Sequence, residues 1–360
     1  MMTRITPFLT LMMLVLLSAC GAHTRLPDVD QAAMTREAEL QRELALKETI
    51  RLQVQLLNPA FQVRRANVDL CGGEVSFSFG FVSVSKTADE FGPAAVSAFD
   101  VSDNVLIAAV ASGSPADLAG IRKGDRVTQI NHQLVGGDAA AALKPVGDAA
   151  LTGGAVTFHV KRISETFTVD VAPVPVCGYP VELLDDQTVN AFADGDRVMI
   201  SKGMVRFVDT EDELALVIGH ELAHNTEGHT DKKMGNAIIG AIFDGLVAGL
   251  GGNTGGAFSN AMAGVNSQDF ESEADYVGAY YAARAGYDVS DAAGLWRRMA
   301  ASNPQAIHLA GTTHPSTAKR FLALEEASKE ILQRMADGEP LVPVEAPPDA
   351  IKNDYPGGDD

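Results

Sequence analysis

Cysteine is scarce in this 360-residue chain: Cys20, Cys71 and Cys177 are the only three. Cys71 and Cys177 lack any CxxC partner spacing, which argues against a cysteine-ligated metal. Basic charge is short as well, with 28 Lys and Arg against 47 Asp and Glu, a net charge of −19. Non-specific nucleic-acid binding needs a basic face, so that class is excluded. Long hydrophobic runs are missing too. After the N-terminal segment the closest approach to a spanning stretch is Ala237 to Leu250, which is interrupted by Asp244 and three glycines. A chain embedded by several transmembrane helices is therefore excluded.

What is present centres on Ile218-Gly219-His220-Glu221-Leu222-Ala223-His224. At about 100° per residue, His220 and His224 lie roughly 40° apart on one helix face, one turn above the other. Two imidazoles so placed can reach one zinc ion, with Glu221 beside it to handle a water proton. Three fixed positions can arise by chance, so the surroundings decide. Thr210 with Glu213 three residues on reads as a capping box, and Glu211, Asp212 and Glu213 suit the positive end of a helix dipole. Leu214, Val217, Ile218 and Leu222 give that helix an apolar face.

Zinc needs a third protein ligand and an open position. His229 is near, but the HExxHxxGxxH pattern requires glycine at 227 and histidine at 230, where this chain has Glu227 and Thr230. That reading is rejected. Glu271-Ser272-Glu273-Ala274-Asp275 is the better candidate, because Glu271 and Asp275 share a helix face. One carboxylate there can bind metal while the other orients a histidine.

Residues 1–20 read as a targeting segment, with Arg4 before an apolar run from Phe8 to Leu17. Leu17-Ser18-Ala19-Cys20 resembles a bacterial lipobox, which implies lipidation of Cys20 and, with Gly21 next, an outer-membrane address; an ordinary signal peptide is the rival. Residues 30–57 carry a helical pattern stopped by Asn58-Pro59, either a spacer or a helix packed on the catalytic domain. Val75, Phe77, Phe79 and Phe81 alternate with Ser and Gly as a strand does.

Val105 to Val127 is more specific. An apolar strand leads to Ser114 as N-cap, Pro115 at the first helical position and Gly120 as terminator, and a second strand runs from Arg126 to Ile130. This resembles a PDZ domain of the bacterial protease type over residues 92–174, with last strands at Thr157–Val160 and Thr166–Val171. The resemblance implies docking of peptide C-termini or loops by strand addition, with Phe79-Gly80-Phe81 a candidate carboxylate loop; a degenerate, non-binding domain is the alternative. Cys71 and Cys177 flank this module, so a disulfide between them is expected in an oxidising compartment, stapling the base of an inserted domain. Val189–Ala193, the Asp194-Gly195 turn and Arg197–Ser201 read as a strand pair.

Asn190-Ala191-Phe192-Ala193, HExxH at 220–224, ExxxD at 271–275 and Thr313-His314-Pro315-Ser316 follow in that order. Together they resemble metallopeptidase family 48, the HtpX/BepA-like gluzincin group, over roughly residues 181–335. The resemblance implies one Zn2+ on His220, His224 and Glu271, with Glu221 as catalytic base. It also implies Asp275 behind the ligands, His314 as a transition-state or latency histidine, and Arg320 as a regulatory basic position near it. The implied fold is α+β: a mainly helical peptidase with a small sheet, preceded by the PDZ module.

The expected organisation is a signal peptide at 1–20 and a helix-and-strand segment at 21–91. The PDZ domain follows at 92–174, the peptidase at 175–337 and a disordered tail at 338–360. The glycine-rich segment 235–264 reads as a lid or plug, a membrane contact or a packed hairpin. The expected function is a lipid-anchored zinc endopeptidase on the periplasmic side of a bacterial envelope. It would cut unfolded or misassembled envelope proteins. The alternative is a latent protease acting as a periplasmic chaperone or assembly factor.

Overall fold

The computed structural model describes residues 27–89, 91–136, 139–232, 267–302 and 318–345. Cys20, the glycine-rich segment 235–264 and His314 lie outside the described residues. Two units divide the chain, Met1–Arg42 and Glu43–Asp360. The described part of the first is the start of helix α1 (Gln31–Ala66), where Asp30 Oδ2 accepts from the Ala33 amide at 3.1 Å and Met34 and Leu40 are exposed.

In the second unit α1 buries Leu52, Leu56, Phe61 and Val63. The sequence expectation ended this helix before Pro59, yet it continues through the proline to Ala66. An interior proline costs a helix about 3 kcal/mol. Burying Phe61 and Val63, at about 1.5–3 kcal/mol each, offsets that. Arg64 then locks the last turn by donating to the Cys177 carbonyl at 2.8 and 3.0 Å and to Ser76 Oγ at 2.9 Å.

Strands β1 (Val75–Ser78) and β2 (Phe81–Val84) replace the single strand expected from the Val-Phe-Phe-Phe alternation. The break is Gly80, at φ +74°, where a Cβ would stand 2.2 Å from the Ser114 Cβ. Helix α2 (Gly92–Phe99) and strand β3 (Val105–Val110) follow, then the short helix α3 (Pro115–Leu118) and strands β4 (Arg126–Ile130) and β5 (Gln133–Leu134). Ser114 caps α3 as its sequence position predicts, its Oγ accepting from the Asp117 amide at 3.3 Å. Helix α4 (Ala139–Thr152) and strands β6 (Val156–Arg162) and β7 (Glu165–Val171) complete a six-stranded sheet of order β2-β3-β4-β6-β7, with β5 on β4. Phe79, Ile107, Val127, Ile130 and Phe158 lie in its core. Because β2 belongs to this sheet, it begins at Phe81, ahead of the boundary expected at 92.

Strand β8 (Val174–Cys177) returns to pair with β1, Val75 opposite Cys177. Beside this pair a disulfide joins Cys71 to Cys177, with Cα atoms 5.7 Å apart. Strands β9 (Val181–Leu184), β10 (Ala191–Ala193) and β11 (Val198–Ser201) form a three-stranded sheet of order β10-β11-β9. The expected strand pair is β10 and β11, antiparallel around Gly195 at φ +97°.

Helices α5 (Lys202–Phe207) and α6 (Glu211–Thr226) pack on that sheet, α7 (Ser267–Arg284) and α8 (Ala292–Ser302) pack on α6, and α9 (Ala318–Asp337) packs on α7 and α8. Their core takes in Leu52, Leu56 and Val63 of α1, so the six-stranded sheet interrupts a helical body that starts before it and resumes after it. Residues 338–345 depart from the expected disordered tail, and the rest of that stretch lies outside the described residues. Arg284 donates to the Leu341 carbonyl at 3.0 Å, Leu341 packs on the helical core, and the Val344 amide reaches Tyr276 Oη at 3.3 Å. One apolar residue and two backbone groups hold this stretch, a signal too sparse for composition to register.

Candidate metal centre

The site is built on α6. Thr210 Oγ1 accepts from the Glu213 amide at 3.2 Å, and Glu213 Oε2 accepts from the Asp209 amide at 2.7 Å. Arg298 on α8 grips both oxygens of Glu213, at 2.7 and 2.6 Å, which with those amides holds its carboxyl below the ordinary value of 4.5. From Leu214 to Asn225 every side chain is buried, far more than the single apolar face read from the sequence. Asn225 ties the far end of the helix to the β10–β11 turn, accepting from the Gly195 amide at 2.9 Å and donating to the Arg197 carbonyl at 3.1 Å.

Helix α7 brings in the carboxylates. It meets α6 backbone to backbone at a pair of glycines. A Cβ on Gly219 would stand 2.4 Å from the Gly278 carbonyl oxygen, and one on Gly278 would stand 2.6 Å from the His220 amide nitrogen. That approach carries Glu271 to both histidines. Its oxygens lie 3.5 Å from His220 Nε2 and 3.4 Å from His224 Nε2, and the two Nε2 atoms are 3.2 Å apart. Among the described residues these three form the one His/Cys/Asp/Glu group able to hold a metal ion.

The triangle fits zinc. Donors about 2.0–2.1 Å from a tetrahedral ion stand about 3.3 Å from one another; the two Nε2 atoms are 3.2 Å apart, and Glu271 turns a different oxygen to each, Oε2 at 3.5 Å to His220 and Oε1 at 3.4 Å to His224. Charge points the same way. Glu221, Glu271 and Asp275 are buried carboxylates, and Arg320 is the buried guanidinium among them. With neutral imidazoles the cluster carries an excess of two negative charges, which a divalent cation balances. Burial alone would keep His220 neutral, but hydrogen bonds to Asp275 and Glu271 outweigh it and push its pKa up to about 10. The pocket demands positive charge.

Behind the triangle, Asp275 Oδ1 is 3.0 Å from His220 Nδ1. Arg320, reaching from α9, donates to both Asp275 oxygens at 2.8 Å and lies 3.3 Å from Glu271. Burial pushes the Asp275 carboxyl up, and His220 and Arg320 more than reverse that, leaving it below the ordinary range. The Trp296 ring lies 5.0 Å from the His220 ring. His229 stands outside the triangle with its Nδ1 3.0 Å from His224 Nδ1.

Residues 157–328 match peptidase family M48, and residues 82–172 match the PDZ domain family. The chain carries an M48 peptidase domain and a PDZ domain. The mitochondrial metalloendopeptidase OMA1 of Schizosaccharomyces pombe is 30% identical over 181 residues, 47% of this chain and 52% of that protein. The beta-barrel assembly-enhancing protease of Yersinia pestis is 31% identical over 121 residues, 29% of this chain and 25% of that protein. The counterpart of Escherichia coli K12 is 30% identical over 121 residues, again 29% and 25%. The chain thus spans about half the length of the first of these relatives and a quarter of the others. Strand β7 and all but the first residue of β6 fall within both family matches, and the pairing of β6 with β4 and of β7 with β6 puts them in the PDZ sheet.

The M48 domain buries His220, Glu221, His224, Glu271, Asp275 and Arg320, the first five singled out by motif spacing and Arg320 only by the family resemblance. The Gly219–Gly278 contact and the inward turn of His229 were not foreseen. Only the helical small residues and Gly228, at φ +64° just before His229, hinted at them.

Proposed function

We propose that the protein is a zinc-dependent endopeptidase of the bacterial envelope that cuts unfolded or misassembled proteins. The observation that carries the zinc reading is the convergence of His220, His224 and the Glu271 carboxylate, with one donor atom from each within 4.8 Å of the others, amid an excess of buried negative charge. When bound there, zinc supplies a Lewis acid that makes a water nucleophilic near neutral pH and polarises the scissile carbonyl. Glu221, beside His220 on the same helix, accepts the proton of the attacking water and delivers it to the leaving amine. Asp275 holds the His220 ring by its Nδ1, and Arg320 keeps Asp275 ionised and orients both Asp275 and Glu271. Strand β10, the outer strand of its sheet and tied to α6 through Asn225, offers a backbone for an extended substrate to pair with.

The PDZ domain is the docking or regulatory module in this reading. Envelope location is supported by the lipobox-like Leu17–Cys20 and by the Cys71–Cys177 disulfide, which needs an oxidising compartment. No helix among the described residues is long and apolar enough to cross a membrane, so the lipid on Cys20 would be the anchor. The relatives named for beta-barrel assembly suggest β-barrel proteins as clients.

Metal removal tests the proposal. A chelator should strip about one zinc per chain and abolish cleavage of an unfolded protein substrate, zinc should restore both, and Glu271→Ala should bind no zinc and cut nothing. Cleavage that survives complete metal removal would sink it.

A further inference from the structure

One buried histidine has no part in that mechanism. His229 is fully buried, its ring stacked on Phe270 with centroids 4.6 Å apart and planes 18° off parallel. Its Nδ1 is 3.0 Å from His224 Nδ1, and its Nε2 is 2.8 Å from Glu273 Oε2. Gly228, in the left-handed region at φ +64°, ends α6 and turns the chain so that His229 comes back against His224.

We propose that His229 and Glu273 form a relay that fixes the tautomer and orientation of His224, presenting its Nε2 lone pair to the metal. The proposal rests on the zinc reading above. A carboxylate only accepts, so Glu273 requires the proton of neutral His229 on Nε2. His229 Nδ1 then carries a lone pair, and the 3.0 Å contact closes only if His224 donates from its own Nδ1. His224 Nε2 is left with its lone pair, and that atom is the one 3.4 Å from Glu271 and 3.2 Å from His220 Nε2. With His229 neutral, each proton in the chain follows from the one before it.

His220 is served by a parallel arm, Asp275 on its Nδ1 braced by Arg320. Both arms start from α7, with Glu273 two residues from Glu271 and Asp275 four residues from it. One helix therefore supplies a donor of the triangle and the groups that aim both histidines. The His224 arm is longer by one imidazole, since His229 stands between His224 and the half-exposed Glu273. His229 is a positioning residue in this account.

The test uses the full zinc-loaded chain, with zinc release to excess chromophoric chelator and the absorption spectrum of the Co2+-substituted protein as readouts. His229→Phe keeps the ring stack and removes the acceptor. It should release zinc about 10–100-fold faster and alter the cobalt spectrum. His229→Asn, whose Oδ1 can take the place of Nδ1, should return release to near the wild-type rate. If His229→Phe fails to fold, Glu273→Ala decides, since it leaves the buried ring in place and should still accelerate release. Wild-type release rates in His229→Phe or Glu273→Ala, or an Asn variant as leaky as the Phe variant, overturn the relay. A wild-type chain that binds no zinc overturns the zinc reading itself and the relay with it.

Discussion

Arg320 sits where two carboxylates need it. Its guanidinium is buried, donates to both oxygens of Asp275 and lies 3.3 Å from Glu271. Truncating one member of a buried ion pair costs about 3–5 kcal/mol, because the remaining charge stays behind unpaired. Arg320→Met should therefore lower unfolding stability by that order, read by urea titration, and should loosen zinc because Asp275 no longer braces His220. A change within experimental error would remove Arg320 from the account. Residue by residue, the donors were the most legible part of the chain, since helical spacing alone aligns His220 with His224 and Glu271 with Asp275. Arg320 was not legible in its bracing role. Its partners Asp275 and Glu271 lie 45 and 49 residues away, and nothing local to Arg320 announces a buried salt bridge. His229 failed a spacing rule for metal ligands, and that rule says nothing about a histidine that touches a ligand from behind.

Between elements, the decisive contact is the crossing of α6 and α7 at Gly219 and Gly278. The atoms a Gly278 methyl would meet are His220 backbone atoms, at 2.6 and 2.7 Å, and backbone cannot rotate away. Gly278→Ala must push the helices apart, at about 1–3 kcal/mol or more, and carry Glu271 out of reach. Lower thermal stability together with weaker zinc binding is expected, and unchanged zinc affinity would contradict the account.

Glu213 links α6 to α8 through Arg298, and its depressed folded-state pKa sets a pH dependence. Its contribution is fully present above the ordinary value of 4.5 and is lost as pH falls through the lowered folded value. Wild type should exceed Glu213→Gln in stability at neutral pH by about 1–2 kcal/mol, and denaturation midpoints should converge below that value. A gap independent of pH would exclude this role. The capping box was readable from Thr210 and Glu213. The continuation of α1 past Pro59 was not, because burial of Phe61 and Val63 overrides a local helix stop.

Across the whole molecule, α1 and the helices after β11 share one core, and the PDZ sheet interrupts it at a base closed by β1, β8 and the Cys71–Cys177 bond. That bond spans 106 residues, and closing a loop of this length stabilises the folded state by about 4–5 kcal/mol in the chain-entropy picture. Reduction should lower the denaturation midpoint substantially, and Cys71→Ala with Cys177→Ala should reproduce the loss. The strap was foreseeable because two cysteines flank the module. Its sheet boundary was not, since Gly80 splits one apparent strand between two sheets.

The central claim, a zinc centre on His220, His224 and Glu271 served by Glu221, is tested most directly by one paired measurement. Zinc content and cleavage of an unfolded protein should be recorded on the same preparations of wild type and Glu221→Gln. Both should carry zinc equally while only wild type cuts. Cleavage by Glu221→Gln at the wild-type rate, with zinc in place, would contradict the account.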